Sequence, residues 1–180
     1  MSEDSSHLGG NIAGGDPASF YPGLWAWLVS EFKVKTVLDI GCGEGHSFRE
    51  FEKLGCKVIG VEGLLQNAIS SPFPTIVHDL TKSKVVIPNI DLVWCCEVCE
   101  HIEERFVDNL LDTMCNGKIV AMTHALPKQE GHHHVNCQLE PYWVEKMFKR
   151  GYRLLEPQTS ISRAKAKWYW AATGKIFIRL

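Results

Sequence analysis

Two stretches of this chain carry side chains that could do chemistry together. The first is Glu97-Val98-Cys99-Glu100-His101-Ile102-Glu103-Glu104. On a helix starting there, positions 97, 100 and 101 fall on one face, because residues three and four apart are neighbours. Two carboxylates and an imidazole on one face could hold a divalent metal such as Mg, Mn, Fe or Zn. A plainer reading has the acids answering the partial positive charge of a helix N-terminus, an effect of ~0.3–1 kcal/mol. The second stretch is Gly131-His132-His133-His134-Val135-Asn136, with His124 upstream. Histidine, with an unperturbed pKa near ~6.5, is the side chain best matched to take a proton from a hydroxyl at neutral pH. One of His132, His133 or His134 is therefore a candidate general base, oriented by Glu97 or Glu100. The plainer alternative is a solvated histidine loop. Cys96-Glu97-Val98-Cys99 has C-x-x-C spacing but no second pair to complete a zinc knuckle, and reads as buried thiols.

A third stretch, Val37-Leu38-Asp39-Ile40-Gly41-Cys42-Gly43-Glu44-Gly45-His46, suits binding rather than proton transfer. A strand running into a glycine turn and a helix N-terminus lines the ligand crevice of an open α/β sheet. The spacing excludes two common ligands. A dinucleotide loop, G-x-G-x-x-G/A, needs Gly or Ala where this chain has His46, and no Gly-Lys-Ser/Thr follows to make a P-loop. Asp39, just before Gly41, can accept hydrogen bonds from an ammonium, which suits a ligand bearing an amino acid. Glu62 ends the next apolar run, roughly twenty residues after Gly41, the interval at which an acid reaches ribose hydroxyls in nucleoside-binding folds. Asp79, in Ile76-Val77-His78-Asp79-Leu80, could bond an adenine amino group or merely cap a turn.

Local periodicity supplies the elements that must position these residues. Phe20, Leu24, Trp27, Leu28 and Phe32 recur at steps of three and four, which predicts an amphipathic helix over 17–33. Helical faces also recur at Phe48, Phe51 and Leu54, at Phe106, Leu110, Leu111 and Met114, and at Val144, Met147 and Phe148, with a short helix near 64–69. Gly55 and Gly151 follow two of them as terminators. Short β-branched runs predict strands at 35–40, 57–61, 75–78, 91–96, 118–122, 152–156 and 175–180. Strands alternating with helices imply a mainly parallel sheet covered on both faces. The tail shows no helical pattern between its last two strands, which suggests a closing hairpin. Arg163-Ala164-Lys165-Ala166-Lys167-Trp168-Tyr169-Trp170 could stack on bases, lay an aromatic face on a sugar ring, or pack on a sheet edge. Tyr21, Trp25, Trp27, Tyr142 and Trp143 are expected to add aromatic surface near the cleft.

Composition narrows the partners. The 180 residues carry nineteen Lys plus Arg against twenty-one Asp plus Glu, a net charge of -2, so there is no global field for nucleic acid or an anionic membrane. No apolar run approaches the ~20 residues of a membrane span. Seven cysteines, mostly in apolar stretches, read as reduced thiols. The expectation is a cytoplasmic protein of one domain, 1–180, with a flexible 1–16 segment, a helix over 17–33 and a ligand-binding core over 34–180. Within the first segment, 9–17 is a glycine-rich loop that could order over a ligand.

These residues resemble the class I S-adenosylmethionine-dependent methyltransferases, over roughly 34–180. Val37 to Gly45 stand as the cofactor loop, Glu62 as the ribose acid, Asp79 as the adenine-side acid and Asp91 to Glu97 as the fourth strand. The resemblance implies an α/β, Rossmann-like three-layer sandwich with a seven-stranded, mainly parallel sheet and an antiparallel last strand. It implies S-adenosyl-L-methionine bound by Asp39, Gly41, Gly43, Gly45, Glu62, Asp79, Leu80 and Cys96, with methyl transfer by in-line displacement at the sulfonium. Metal-dependent small-RNA 2′-O-methyltransferases share the Glu-x-x-Glu-His string, which implies Glu97, Glu100 and His101 as ligands completed by a downstream histidine such as His134. The expected activity is O-methylation of a small polar acceptor such as a sugar or glycan unit. The alternatives are a metal-assisted RNA ribose methyltransferase and a cofactor-binding module without chemistry.

Overall fold

The computed structural model describes residues 6–9, 12 and 14–180. Residues 1–5, 10, 11 and 13, part of the segment expected to be flexible, lie outside the described residues. The strands are β1 (Thr36–Ile40), β2 (Lys57–Glu62), β3 (Thr75–Val77), β4 (Ile90–Cys95), β5 (Gly117–Met122), β6 (Tyr152–Leu154) and β7 (Lys175–Arg179). They form one sheet in the order β3-β2-β1-β4-β5-β7-β6. β1 to β5 pair in parallel, and β7 runs antiparallel to both its neighbours.

The helices are α1 (Pro22–Phe32), α2 (His46–Lys53), α3 (Leu65–Ser70), α4 (Val107–Met114), α5 (Glu140–Phe148), α6 (Glu156–Ala164) and α7 (Trp168–Thr173). Side-chain alternation along each strand feeds two separate cores. In β4, Leu92 and Trp94 join Leu24, Trp25 and Leu28 of α1 and Phe48 and Phe51 of α2. Val93 and Cys95 face the other way, toward Leu110, Leu111 and Met114 of α4 and Trp143 and Met147 of α5. That is the three-layer arrangement, and it follows from the two-residue period of a strand meeting helices on both sides.

The structure corrects the tail. No direct hairpin joins β6 to β7, although they do pair antiparallel. α6 and α7 intervene, and their signal is weak because α7 is only six residues long and wholly aromatic and small at its start. The aromatics of that segment go inward: Trp170 is fully buried and stacks on Trp94, with centroids 4.6 Å apart and planes at 17°. Truncating such a buried tryptophan typically costs about 3–5 kcal/mol. Two helical faces also sit about one residue from the expected phase. In α1 the buried set is Leu24, Trp25 and Leu28, with Phe20 left exposed ahead of the helix, and in α5 it is Trp143 and Met147, with Phe148 exposed.

The chain leaves β1 toward β2 on one side, and β4 lies on the other. This reversal opens a crevice at the carboxyl ends of the parallel strands, where ligands bind in open α/β sheets. Asp39, Glu62, Cys96 and Glu97 all lie there, in β1, β2 and the turn after β4.

Candidate active site

A cavity of about 660 Å³ occupies this crevice. Its wall on the β1 side is the glycine loop. Gly41 and Gly43 have φ of +70° and +55°, backbone that side chains rarely adopt. A Cβ on Gly41 would come within 2.3 Å of Val98, whereas a Cβ on Gly43 would meet no heavy atom within 4 Å among the described residues. Gly41 thus allows the loops after β1 and β4 to approach, and Gly43 gives a turn its left-handed conformation beside open space. Gly45 lines no part of the cavity. It precedes α2 with φ of +79°, and a Cβ there would meet Ser71 and Phe73.

Glu62 fastens this loop. Its two carboxylate oxygens accept from the Gly43 amide at 2.8 Å and the Leu64 amide at 2.9 Å. Burial raises its pKa, and these amides work against the rise. Asp39 accepts from Ser47 Oγ and is 4% exposed. Burial pushes its pKa up to about 7; the Ser47 hydrogen bond opposes that, and the charge of Glu62 adds to it. A buried carboxyl in this position gains most from a cationic partner. Leu80, His78 and Cys96 also line the cavity, while Asp79 stands behind it. Its Oδ1 accepts from the Thr81 amide and hydroxyl, both at 2.8 Å, and its Oδ2 pairs with His7 Nε2 at 3.1 Å. Asp79 thus caps a turn, and its other oxygen meets the His7 imidazole.

At the opposite end, the helix expected over residues 97–104 is replaced by two 3-10 turns, Cys99–His101 and Glu104–Phe106. Glu97 precedes them with φ of +56°, a left-handed conformation that costs a non-glycine residue about 1–3 kcal/mol unless held from outside. Thr123 holds it. The Glu97 amide donates to Thr123 Oγ1 at 2.8 Å, and that hydroxyl donates back to Glu97 Oε1 at 2.8 Å. Nothing local to either residue announces this clamp, so sequence reasoning misses Thr123. It also misses His7 and Gln129, which line the same cavity, as does Tyr169 of the basic–aromatic stretch.

Glu100 and His101 face the histidine loop. The Glu100 carbonyl accepts from the Val135 and Asn136 amides at 2.9 and 3.1 Å, docking that loop on the 3-10 turn. One donor atom each from Glu100, His101 and His134 lie within 4.8 Å of one another. Glu97 is not in this group: one of its oxygens meets Thr123, while its charge still bears on Glu100. Glu100 is fully buried, and neither of its carboxylate oxygens has a hydrogen-bond partner among the described residues. Burial, reinforced by the charge of Glu97, holds its pKa well above the usual carboxylate range. His101 Nδ1 is likewise unpartnered, and burial, with His134 nearby, pushes its imidazole down to about 4. His134 Nδ1 lies 3.0 Å from the Gln129 carbonyl. A carbonyl only accepts, so Nδ1 carries the hydrogen and Nε2 is left as the acceptor. His132 lines the cavity, while His133 does not and meets Ser6 Oγ through its Nδ1 at 3.2 Å.

Three other candidates take mainly structural partners, although His124, Trp168 and Tyr169 line a small pocket beside Glu97. His124 is buried beside Lys175, whose Nζ donates to its Nε2 at 2.8 Å. Burial and that cation push the imidazole down to about 4. The basic–aromatic stretch is dispersed: Arg163 donates to Glu140 and the Gly174 carbonyl, Trp170 is core, and Trp168 alone of its aromatics is largely exposed. Of the other aromatics expected near the cleft, Trp25 lines the cavity, and Tyr21, Trp27, Tyr142 and Trp143 do not.

Comparison with known proteins agrees with this geometry. Residues 18–173 match the methyltransferase domain family, and the chain belongs to that family. It is a class I S-adenosylmethionine-dependent methyltransferase. Its fold is similar to a TehB-like S-adenosylmethionine-dependent methyltransferase from Corynebacterium glutamicum (TM-score 0.64, 16% identity, covering 93% of this chain and 91% of that one). It is also similar to magnesium protoporphyrin IX methyltransferase from Synechocystis with bound cofactor (TM-score 0.62, 16% identity, 87% and 76% covered). The methyltransferase domain of a bacterial Hen1 shares the fold as well (TM-score 0.60, 13% identity, 88% and 96% covered). No curated protein sequence matches the chain significantly. Among the described residues, no helix is long and apolar enough to cross a membrane.

Proposed function

We propose that this methyltransferase transfers the methyl group to a hydroxyl oxygen of a small polar acceptor, of the size of a sugar or glycan unit. The observation that carries the reading is Glu97, held by Thr123 where the 660 Å³ cavity meets a side pocket of about 70 Å³. Glu97, Gln129, Trp168 and Tyr169 line that side pocket. It offers carboxylate and amide groups to hydroxyls and an exposed indole to an apolar ring face.

S-adenosylmethionine supplies an electrophilic methyl on a sulfonium. The chain's own residues do the rest. Asp39 accepts hydrogen bonds from the ligand's ammonium, and Glu62, held by the Gly43 and Leu64 amides, accepts from the ribose hydroxyls. Gly41 and Gly43 keep side chains out of the ligand's way, Leu80 bounds the adenine side, and Cys96 lies beside Glu97 and Thr123 toward the acceptor end. His134, with Nδ1–H committed to Gln129, presents Nε2 to take the acceptor's proton, and Glu97 orients the hydroxyl. General acid–base help of this kind contributes about 10²–10⁴-fold. Positioning the acceptor supplies up to about 7–11 kcal/mol in well-aligned cases.

A second reading rests on a separate observation, the orphaned donors of Glu100 and His101 beside His134. One carboxylate and two imidazoles fit a zinc-, iron- or manganese-type ion, with Glu97 near enough in sequence to join from the cavity side. Such an ion would act as a Lewis acid on the acceptor oxygen. This reading favours an RNA ribose as acceptor, as the neighbouring fold of a small RNA methyltransferase suggests. The net charge of -2 and the dispersed basic–aromatic stretch weigh against a long RNA.

The test is a screen with methyl-labelled cofactor across sugars, glycan fragments, phenols and short RNA, with and without EDTA. Transfer to a hydroxylated small molecule that survives EDTA supports the first reading. Transfer to RNA alone, lost with EDTA and restored by a metal, replaces it with the second.

A further inference from the structure

The pocket of about 70 Å³ beside Glu97 has a polarity set by the bonds its walls already make. Thr173 Oγ1 accepts from the His124 amide at 3.3 Å and donates to the Tyr169 carbonyl at 3.4 Å. His124 pairs through Nδ1 with the Ala125 carbonyl at 3.1 Å and through Nε2 with Lys175 Nζ at 2.8 Å. The Tyr169 hydroxyl donates to Asp16 at 2.9 Å. None of these side chains has a polar hydrogen left to offer a ligand.

Gln129 is the exception, and like Glu97 it lines both the pocket and the main cavity. The Leu126 amide lies 3.0 Å from its side chain and only donates, so the atom facing it is Oε1. That leaves both Nε2 hydrogens without a protein partner among the described residues. The backbone of Gln129 is fixed as well. Its amide donates to the Leu126 carbonyl at 2.9 Å, and its carbonyl accepts from His134 Nδ1 at 3.0 Å. A side chain tied at its backbone and again at Oε1 presents Nε2 in one direction. Glu97, with one oxygen on Thr123, offers a ligand only acceptors when ionised. The apolar wall is Ala172 and Trp168. Trp168 is 69% exposed and has φ of +52°, so a bulky indole is held open on strained backbone, a pattern that clusters at ligand sites.

A free amide donor, acceptor oxygens and an aromatic face select a neutral group that gives and receives hydrogen bonds and also carries C–H bonds. A carboxylate or phosphate would meet the charge of Glu97, and an ammonium would meet the N–H bonds of Gln129. The pocket is far below the ~300–1,000 Å³ that encloses a whole small molecule, so it takes a substituent rather than a ring. We propose that Gln129 is the specificity-determining residue for a vicinal diol, an inference that rests on the small-acceptor reading above. The hydroxyl to be methylated lies on Glu97 at the cavity side, and its neighbour enters the side pocket and accepts from Nε2. That arrangement leaves the reacting oxygen a lone pair for the methyl group. As its bond to the methyl forms and the sulfonium–methyl bond breaks, its proton passes to His134 Nε2, giving a monomethylated diol and a neutral thioether.

The test uses the full chain and paired probes: methyl glycosides with adjacent hydroxyls, and their monodeoxy counterparts lacking the neighbour. Initial rates with methyl-labelled cofactor give kcat/KM for each member of a pair. The diol should exceed its deoxy partner by about tenfold, the scale of one neutral hydrogen bond. Gln129→Glu keeps the acceptor for the Leu126 amide but replaces the donor, and Gln129→Met removes it without adding charge. In both variants the ratio of diol to deoxy should fall from about ten to about one. S-adenosylhomocysteine binding by calorimetry shows that each variant is folded. A merely structural role would lower both probes together and keep the ratio. A ratio still near ten in both variants, or near one in the parent, overturns the proposal and leaves the small-acceptor reading standing. Transfer to short RNA and to none of the glycosides overturns that reading and the proposal together.

Discussion

The two ends of the crevice are built differently. At the cofactor end every acid is already spoken for: Glu62 by two loop amides, Asp39 by Ser47, Asp79 by Thr81 and His7. At the acceptor end, Glu100, His101 and His133 hold buried polar atoms with no partner among the described residues. An internally satisfied site is set before its ligand arrives and gains affinity from that preorganisation. An unsatisfied one keeps a polarity cost that a proton, an ion or a substrate relieves. On the proposed reading, the difference teaches that this chain meets its cofactor with a finished surface and leaves its chemistry to be completed by what binds next.

The sharpest separation of the two ends comes from Glu97→Gln. Methyl transfer should fall by about 10²-fold, the scale of a misplaced acceptor, while calorimetry shows S-adenosylhomocysteine bound as before. A comparable loss of cofactor affinity would erase the distinction. Asp39→Ala should show the reverse, weakening the ligand by about ten- to a hundredfold, as for a lost charged hydrogen bond. Much of its kcat should return at saturating cofactor.

Thr123→Val removes both bonds of the Glu97 clamp and leaves a left-handed glutamate unsupported. Urea unfolding should show a loss of about 1–3 kcal/mol, and activity should fall with cofactor affinity retained. Stability alone falling, with turnover intact, would remove Thr123 from the site.

pH probes the finished end. The Asp39 pKa lies near 7 in the folded chain, above its ordinary acid value. Between about pH 4 and 7 the folded chain keeps a proton that the unfolded chain gives up, so this group's contribution to stability falls as pH rises through that window. An ammonium ligand needs the carboxylate. Affinity for S-adenosylhomocysteine should therefore rise by up to about tenfold per unit toward pH 7 and then level, with proton release on binding below it. A flat profile between about pH 5.5 and 8 would break the link between Asp39 and the ammonium. The smallest expected change is Trp168→Ala, raising acceptor KM by about two- to tenfold, the scale of one aromatic contact, with no effect on cofactor binding.

Much of this was legible from residue order. The glycine loop, its acid and the spacing to Glu62 pointed to one shared crevice because they lie on consecutive strand ends of a fixed topology. Glu100, His101 and His134 were also legible as a group, since short strings of ligating residues at strand ends converge on one crevice. The clamp on Glu97 was not. Helical spacing placed Glu97 beside Glu100 and His101; the backbone at 97 is left-handed instead and gives one carboxylate oxygen to Thr123, while Glu97 still bears on Glu100.

By itself, the sequence determined the layer order of strands and helices, the class of ligand and the exclusion of dinucleotide and P-loop chemistry. These depend on local periods and on which residues tolerate a turn, physics that acts within a few positions. Only tertiary structure decided that Thr123 holds Glu97, that Trp170 belongs to the core against Trp94, and that His7 stands between Asp79 and the cavity. Each joins residues far apart in the chain, where loop closure and packing choose the partner and no local pattern records the choice.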